Sequence, residues 1–355
     1  MVMLWKCISV LVAWSCDFLI CKYLFIFYLK LRGMGFRSFL RSDNSEKLMK
    51  LRKWWHKNDW NKAHSPGLIP RVHTEWLFLR NKNDCIVVDG WLLKFYVSKE
   101  KYMNWGDDLN VYLLELLTNK RIVPCEMLLF RKMHKKYTVI GSIIPGFVNE
   151  RTVVWGSGCM NFDQKIKHHP LRVLAVRGPK TRKFLLDNGV DCPEVYGDPA
   201  LLLPKLYKPK VEKKYGVTFV PHHRDFDIEP EIVERLKKEY PRSHVINMTN
   251  YGKWTDVIDE ICESEVVVTS SLHGMVVSDA YGIPNAFCEF KYHHPKYDKY
   301  EDYCESVKKT FAFPVDQSAI DDEFLVGIKK SYTKPNIDVT KLLEVCPFKI
   351  QIDLK

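Results

Sequence analysis

Short β-branched apolar runs recur along the chain, separated by longer stretches whose apolar residues fall three and four apart. The runs are Ile86–Val88, Val139–Ile144, Val153–Trp155, Val173–Val176, Val217–Val220, Val245–Ile246, Val266–Thr269 and Ala286–Phe290. Each reads as a buried strand. Between them, Asp107–Thr118 places Leu109, Leu113, Leu116 and Leu117 on one helical face. Pro179–Asn188 opens with proline at the first helical position and stops at Gly189. Glu229–Tyr240 and Trp254–Ser264 read as amphipathic helices, and residues after about 310 as one or two helices and a tail. This alternation predicts an α/β fold with parallel sheets covered by helices on both faces. Pro204–Tyr215 (PKLYKPKVEKKY) interrupts it and reads as a linker between two Rossmann-like domains, residues 84–205 and 206–310, followed by a C-terminal segment, 311–355.

The first 83 residues differ in character. Ile8–Tyr28 is almost continuously apolar and about as long as a bilayer requires, but Asp17 and Lys22 interrupt it. It lacks a small-residue cleavage site, so residues 1–33 read either as a membrane anchor or as a leader, one that translation from Met34 would omit. If the segment spans, Lys30, Arg32, Arg37 and Arg41 outweigh Lys6 and place the rest in the cytoplasm. Both readings give a cytoplasmic body, with membrane association through residues 8–28 in the first. Residues 34–83 form a basic, Trp-rich arm.

Composition narrows the classes. With 46% hydrophobic and 27% charged residues, the chain is neither disordered nor fibrous. The net charge of +11 is concentrated: residues 1–62 carry twelve Lys and Arg against four Asp and Glu, leaving +3 for the remaining 293. No nucleic-acid partner is expected from so even a body. The eleven cysteines form no CxxC pair and no zinc-ligand spacing, which argues for reduced, packed thiols and no metal.

Ligands of parallel α/β folds bind at the carboxyl ends of strands, and several strand ends here carry unusual residues. In VVVTSSLHGMVVSDAYGIP (266–284) a buried strand runs into a helix opening at Leu272, capped by Ser270 or Ser271. Its first N–H groups suit an anion, Gly274 leaves room for close approach, and His273 either handles a proton or is held for packing. In RVLAVRGPKTRKFLLDNGV (172–190), Arg177 stands at a helix start where a cation is favourable only if an anion arrives. Asp198, in VYGDPALLLP, is a turn cap or a functional carboxylate. His222, His223 and Arg224 follow a strand, and adjacent rings on an extended chain face opposite ways, so one at most should reach a ligand. Asn104, Asp107 and Asp108 open another helix, where an acid could deprotonate a hydroxyl. Gly141–Ser142 and Gly156–Ser157–Gly158 add backbone N–H groups to the same rim. No GxxxxGK[ST], GxGxxG or HExxH occurs.

In this order, NWGDDLN (104–110), VIGSII (139–144), VVWGSG (153–158), AVRGPKT (175–181), VYGDPALLLP (195–204), VPHHRD (220–225) and SSLHGMVVSDAYGIP (270–284) resemble the polysaccharide pyruvyl transferase family. The resemblance implies two Rossmann-like domains in a GT-B-like arrangement, with the active site in the cleft. It implies transfer of a pyruvyl group from phosphoenolpyruvate, as donor substrate without a resident cofactor, to a sugar or lipid-linked saccharide. Phosphate is released and a ketal forms. By the resemblance, Arg177 and the Leu272–His273 pair contact the donor. Some members have Arg where this chain has Ser271, which removes one cation. In the mechanism this suggests, His273 or a nearby acid protonates the enol methylene, and Asp107 or Asp108 takes the sugar hydroxyl's proton. Competing readings are a GT-B glycosyltransferase using a nucleotide sugar and a basic membrane- or nucleic-acid-associated non-enzyme.

Overall fold

The computed structural model describes residues 68–92, 104–312, 314–315 and 317–351. The expected anchor or leader and most of the basic arm therefore lie outside the described residues. The chain divides into two compact units: residues 1–82 with 126–131, and residues 83–125 with 132–355. Within the first, helix α1 (Leu68–Arg80) carries Glu75, whose carboxylate accepts the N–H groups of Leu129 and Phe130.

The second unit holds two main sheets, both parallel. The first has the order β2-β1-β3-β5-β7, with β1 at Cys85–Val88, β2 at Arg121–Pro124, β3 at Lys136–Thr138, β5 at Thr152–Trp155 and β7 at Arg172–Ala175. Beside it β4 (Ser142–Ile144) pairs with β6 (Gly158–Cys159). The other sheet runs β11-β10-β8-β9, from β8 (Tyr215–Val220), β9 (Ser243–Val245), β10 (Ser264–Thr269) and β11 (Asn285–Phe287). In each sheet the order reverses beside the first strand, opening a crevice at the carboxyl ends where ligands of such sheets settle.

Parallel strands must be covered on both faces, and the sequence supplies both. In β10, Val267 points into a core with Val257, Ile258 and Ile261 of α7 (Trp254–Cys262) and Met275, Val276 and Val277 of α8 (Leu272–Ala280). Its neighbours Val266 and Val268 point the other way, joining Ile232 and Leu236 of α6 (Ile232–Glu239) and Ile328 of α10 (Asp322–Ser331). Alternation along one strand thus feeds two cores. Under the first sheet, α2 (Trp105–Thr118) buries Leu109, Leu113 and Leu117 completely, and truncating any of them to Ala should cost about 2–5 kcal/mol.

Several expected boundaries move. The run 139–144 is not one strand: both backbone groups of Ile140 bond to the Asn110 side chain, at 2.8 and 3.1 Å, and Gly141 turns the chain at φ +121°. Helix α2 begins at Trp105 rather than Asp107, because the extended Asn104 caps it through the Gly106 N–H. Among the elements that the sequence did not announce are β2 and α9 (Asp298–Ser306), the latter carrying the residues that complete the candidate site. No helix among the described residues is long and apolar enough to cross a membrane.

Candidate functional site

Trp105 brings the two sheets' strand ends together. Its ring is fully buried, its backbone N–H donates to Met248 and its indole N–H to the Trp254 carbonyl, 2.8 Å away. This seats Gly106 against His273 of α8, so closely that a methyl group on Gly106 would fall inside the imidazole. Only 8% of His273 is exposed. Its Nε2 has no hydrogen-bond partner and points to Asp198 Oδ2 at 3.9 Å. Burial, reinforced by the positive charges of Arg177 and Lys299, pushes the imidazole down to about 3.

Asp198 is fully buried and also serves as the turn cap anticipated for it, Oδ1 accepting the Ala200 N–H at 3.0 Å. Burial lifts its carboxyl to about 6, against the lowering effects of that bond and of Arg177. The short Pro199–Leu202 turn that follows packs on α8. Gly156, at φ +96°, lies so close to Pro199 that a side chain there would collide with it. Its neighbour Ser157 is buried with an unpartnered hydroxyl.

Arg177 is nearby, as its effects on His273 and Asp198 show, but it is wholly buried and each of its three nitrogens already has a partner. Nε bonds Asp302 Oδ2 at 3.1 Å, Nη2 bonds the Cys159 carbonyl at 2.7 Å, and Nη1 bonds the Ser142 hydroxyl. Asp302 also accepts from the N–H and hydroxyl of Thr181, so it clamps the start of α3 (Pro179–Asp187). In this arrangement the guanidinium acts on the site as a fixed charge.

The acid pair separates. Asp108 is buried and accepts the Tyr251 hydroxyl at 2.7 Å, a packing role. Asp107 is partly exposed, receives the Asn104 amide at 2.8 Å, and has an oxygen 3.7 Å from where a side chain on Gly141 would begin. It is also the acid whose charge is felt by Lys299.

Lys299, on α9, is 7% exposed, and among the described residues no carboxylate pairs with its ammonium. Its Nζ lies 4.9 Å from the centroid of the Tyr300 ring. Burial, then Arg177, drive it down to about 7, with Asp107 opposing. Nothing in DKYEDYCES marks this lysine as functional, because a charged helix reads as a solvated one.

At the end of β8 the chain bends at once into α5 (His223–Ile228), so the two adjacent histidines do not face opposite ways. Their rings lie 4.1 Å apart. His222 also stacks on Tyr292 at 4.9 Å and 17°, and the exposed Arg224 covers that tyrosine, 5.0 Å from its centroid. Burial and the cations around it, Lys299 first, hold His222 neutral. Sequence reasoning passed over Asp225, which is fully buried. Its carboxylate accepts the N–H groups of His222, Lys291 and Tyr292 and the Ser270 hydroxyl, joining the turns after β8, β10 and β11.

Of the remaining residues, Ser271 is the α8 N-cap, yet its hydroxyl makes no cap bond and lies 3.5 Å from Met248 sulfur. Leu272 is buried core. Gly274 was expected to leave room for a ligand, but that space is filled by Thr269 and Val220, so it is a packing glycine. The first N–H groups of α8 have no side-chain cap, a favourable end for an anion next to Lys299 and His273. A cavity of about 300 Å³ lined by Leu201, Asp279, Tyr281 and Lys334 lies at the opposite end of α8 and contains none of these residues. Among the described residues no cluster of His, Cys, Asp or Glu could hold a metal, and the eight described cysteines are free.

The sequence model of the family described as polysaccharide pyruvyl transferase matches residues 30–291. The chain belongs to that family. Among curated relatives of this pyruvyl transferase family member, the succinoglycan biosynthesis protein ExoV of Rhizobium meliloti (strain 1021) is 27% identical over 205 residues, 54% of this chain and 58% of ExoV. An uncharacterized protein of Acanthamoeba polyphaga mimivirus is 25% identical over 197 residues, 54% of this chain and 65% of that protein. The chain thus spans about three-fifths of the length of these relatives. A crystal structure of a functionally uncharacterized Klebsiella pneumoniae protein covers 69% of this chain and 98% of its own at 16% identity, with a TM-score of 0.34, a likeness too slight to bear on the fold.

Proposed function

We propose that the protein transfers a pyruvyl group from phosphoenolpyruvate to a sugar of a polysaccharide or its lipid-linked precursor, forming a ketal and releasing phosphate. We further propose that the two sheets are Rossmann-like halves in a GT-B-like arrangement, working on the cytoplasmic side where the donor is made. The single observation that carries the reading is Lys299, a buried ammonium without a carboxylate partner among the described residues, beside an uncapped helix start. Proteins rarely keep an unpaired buried charge unless a ligand supplies the counter-charge. A small donor with both a carboxylate and a phosphate would do so.

In this reading the donor's anionic groups lie against Lys299 and the first turn of α8, with Arg177 adding a fixed positive field behind Ser142. Burial and, behind it, the charges of Arg177 and Lys299 hold His273 neutral; the donor's negative charge beside the imidazole opposes both effects, so the ring gains the proton it then gives to the enol methylene. C2 becomes cationic, and a sugar hydroxyl attacks it as Asp107 takes the hydroxyl proton. The C2–oxygen bond breaks with its electron pair leaving on phosphate, and a second hydroxyl adds to C2, closing the ketal as its proton passes to the His273 imidazole and so restores the acid. Nothing in these steps requires a resident cofactor. Asp107 is preferred to Asp108 because the latter is occupied by Tyr251.

The test supplies phosphoenolpyruvate with galactose-, glucose- and mannosamine-containing acceptors and follows inorganic phosphate and the acceptor's mass. Phosphate release that depends on acceptor, and a pyruvylated product, are expected, with His273→Ala slowing the reaction by about 10²–10⁴. Glycosyl transfer from a nucleotide sugar with phosphoenolpyruvate untouched would overturn the proposal in favour of a glycosyltransferase.

A further inference from the structure

Trp91 has no part in the donor chemistry, yet the fold presents it deliberately. It follows β1 at the carboxyl edge of the first sheet, in a tight turn where the Leu92 N–H bonds back to the Gly90 carbonyl at 2.8 Å. Asp89 before the turn is buried and paired with Lys136, and Leu92 after it is fully buried. Anchored on both sides, Trp91 is nonetheless 56% exposed, more than an indole covered on both faces could be. Phe147, in the segment after β4, braces it edge-on at 5.1 Å and 73°. A rigid indole with an open face is therefore held out at the strand ends.

Its position relates it to the acid. A side chain on Gly90 would begin 3.5 Å from Ile143 Cδ1, and one on Gly141 would begin 3.4 Å from Ile143 Cγ2 and 3.7 Å from Asp107 Oδ1. Ile143 thus fills the gap between the Trp91 turn and the rim that faces Asp107. We infer that Trp91, braced by Phe147, is the platform on which a pyranose ring of the saccharide acceptor stacks, with its hydroxyls toward Asp107. The inference rests on the reading of the protein as acting on a saccharide. An indole face matches the apolar C–H face of a pyranose in size and excludes water from one side of it. Two rings are the footprint of one sugar, small for a membrane or protein contact.

The experiment probes the full-length protein, without phosphoenolpyruvate, on an array of defined oligosaccharides containing galactose, glucose and mannosamine. The expected result is capture by wild type on at least one glycan, retention by W91F, and a loss of about tenfold or more in W91A, the scale of a buried aromatic face. Unchanged melting temperatures are expected for both variants, since the side chain is mostly exposed. Capture by W91A equal to wild type, or no capture by wild type on any glycan, overturns the inference. Because capture needs no donor, glycan binding without phosphate release would count against the phosphoenolpyruvate reading and leave the platform standing.

Discussion

Replacing Lys299 by Met removes a charge and keeps a chain of similar length. In the folded protein burial and Arg177 bring the ammonium from its ordinary 10.5 to about 7. At 1.36 kcal/mol for each tenfold change, holding the charged form in the native site costs up to about 5 kcal/mol. The unfolded chain keeps that proton up to about pH 10.5, whereas the native one releases it near 7. The cost is therefore fully present below pH 7 and fades as pH rises from 7 to 10.5. Lys299→Met should be more stable than wild type at pH 7. Even if relaxation and water leave only about 2 kcal/mol of the cost, the melting temperature should rise by roughly 3–4 °C in a chain of this size. The advantage should shrink toward pH 10. Adding inorganic phosphate at pH 7 should stabilise wild type and leave the variant unmoved, because only wild type has the unmatched cation. The donor KM should rise steeply in the variant. Thermal unfolding across pH, with and without phosphate, reads all of this. A variant that melts lower than wild type at pH 7 and keeps the wild-type donor KM would refute the reasoning.

Three other substitutions separate scaffold from chemistry. Gly106→Ala must push the buried His273 ring aside, which should cost about 1–3 kcal/mol of stability and drop turnover by about 10², with turnover measured well below the variant's melting temperature. Asp302→Ala strands the buried Arg177 and should lose about 3–5 kcal/mol in urea unfolding; a loss under about 1 kcal/mol would mean the guanidinium finds another partner. Asp198 has its carboxyl raised from 3.8 to about 6, so its charged form is disfavoured in the fold and stability should fall as pH rises from about 4 to 6, by at most about 3 kcal/mol. Asp198→Asn should flatten that part of the urea-unfolding pH profile, and an unchanged slope would contradict the buried assignment.

What was legible in the sequence follows from where its signals are local. β-Branched runs and helix-stop residues mark most strands and helices because buried parallel strands are apolar on both faces, and glycine at strand ends marks turns. The strand-end motifs carry Asp107, Arg177, Asp198, His222 and His273, residues that the fold brings to one rim. The roles within that rim were not legible. Arg177 meets Asp302 across 125 positions, and no local pattern foretells which carboxylate a buried guanidinium finds. Lys299 is hidden in a helix whose composition matches a solvated surface. The separation of Asp107 from Asp108 depends on Tyr251, 143 residues from Asp108. The histidine pair misled because a helix, α5, opens at His223 where an extended chain was expected to continue, and β2 was missed because RIVP is short and ends in proline.

Asp225 has a consequence of its own. One carboxylate gathers donors from three separate turns, so those turns cannot drift independently: a shift of the turn after β11 strips both donors from one buried oxygen, and a shift of the turn after β10 takes one of two from the other. The half of the rim built on the second sheet should accordingly move as a single piece, so that under the proposed reading the turn that bears Trp91, on the first sheet, could change its sugar preference without loosening the anion site.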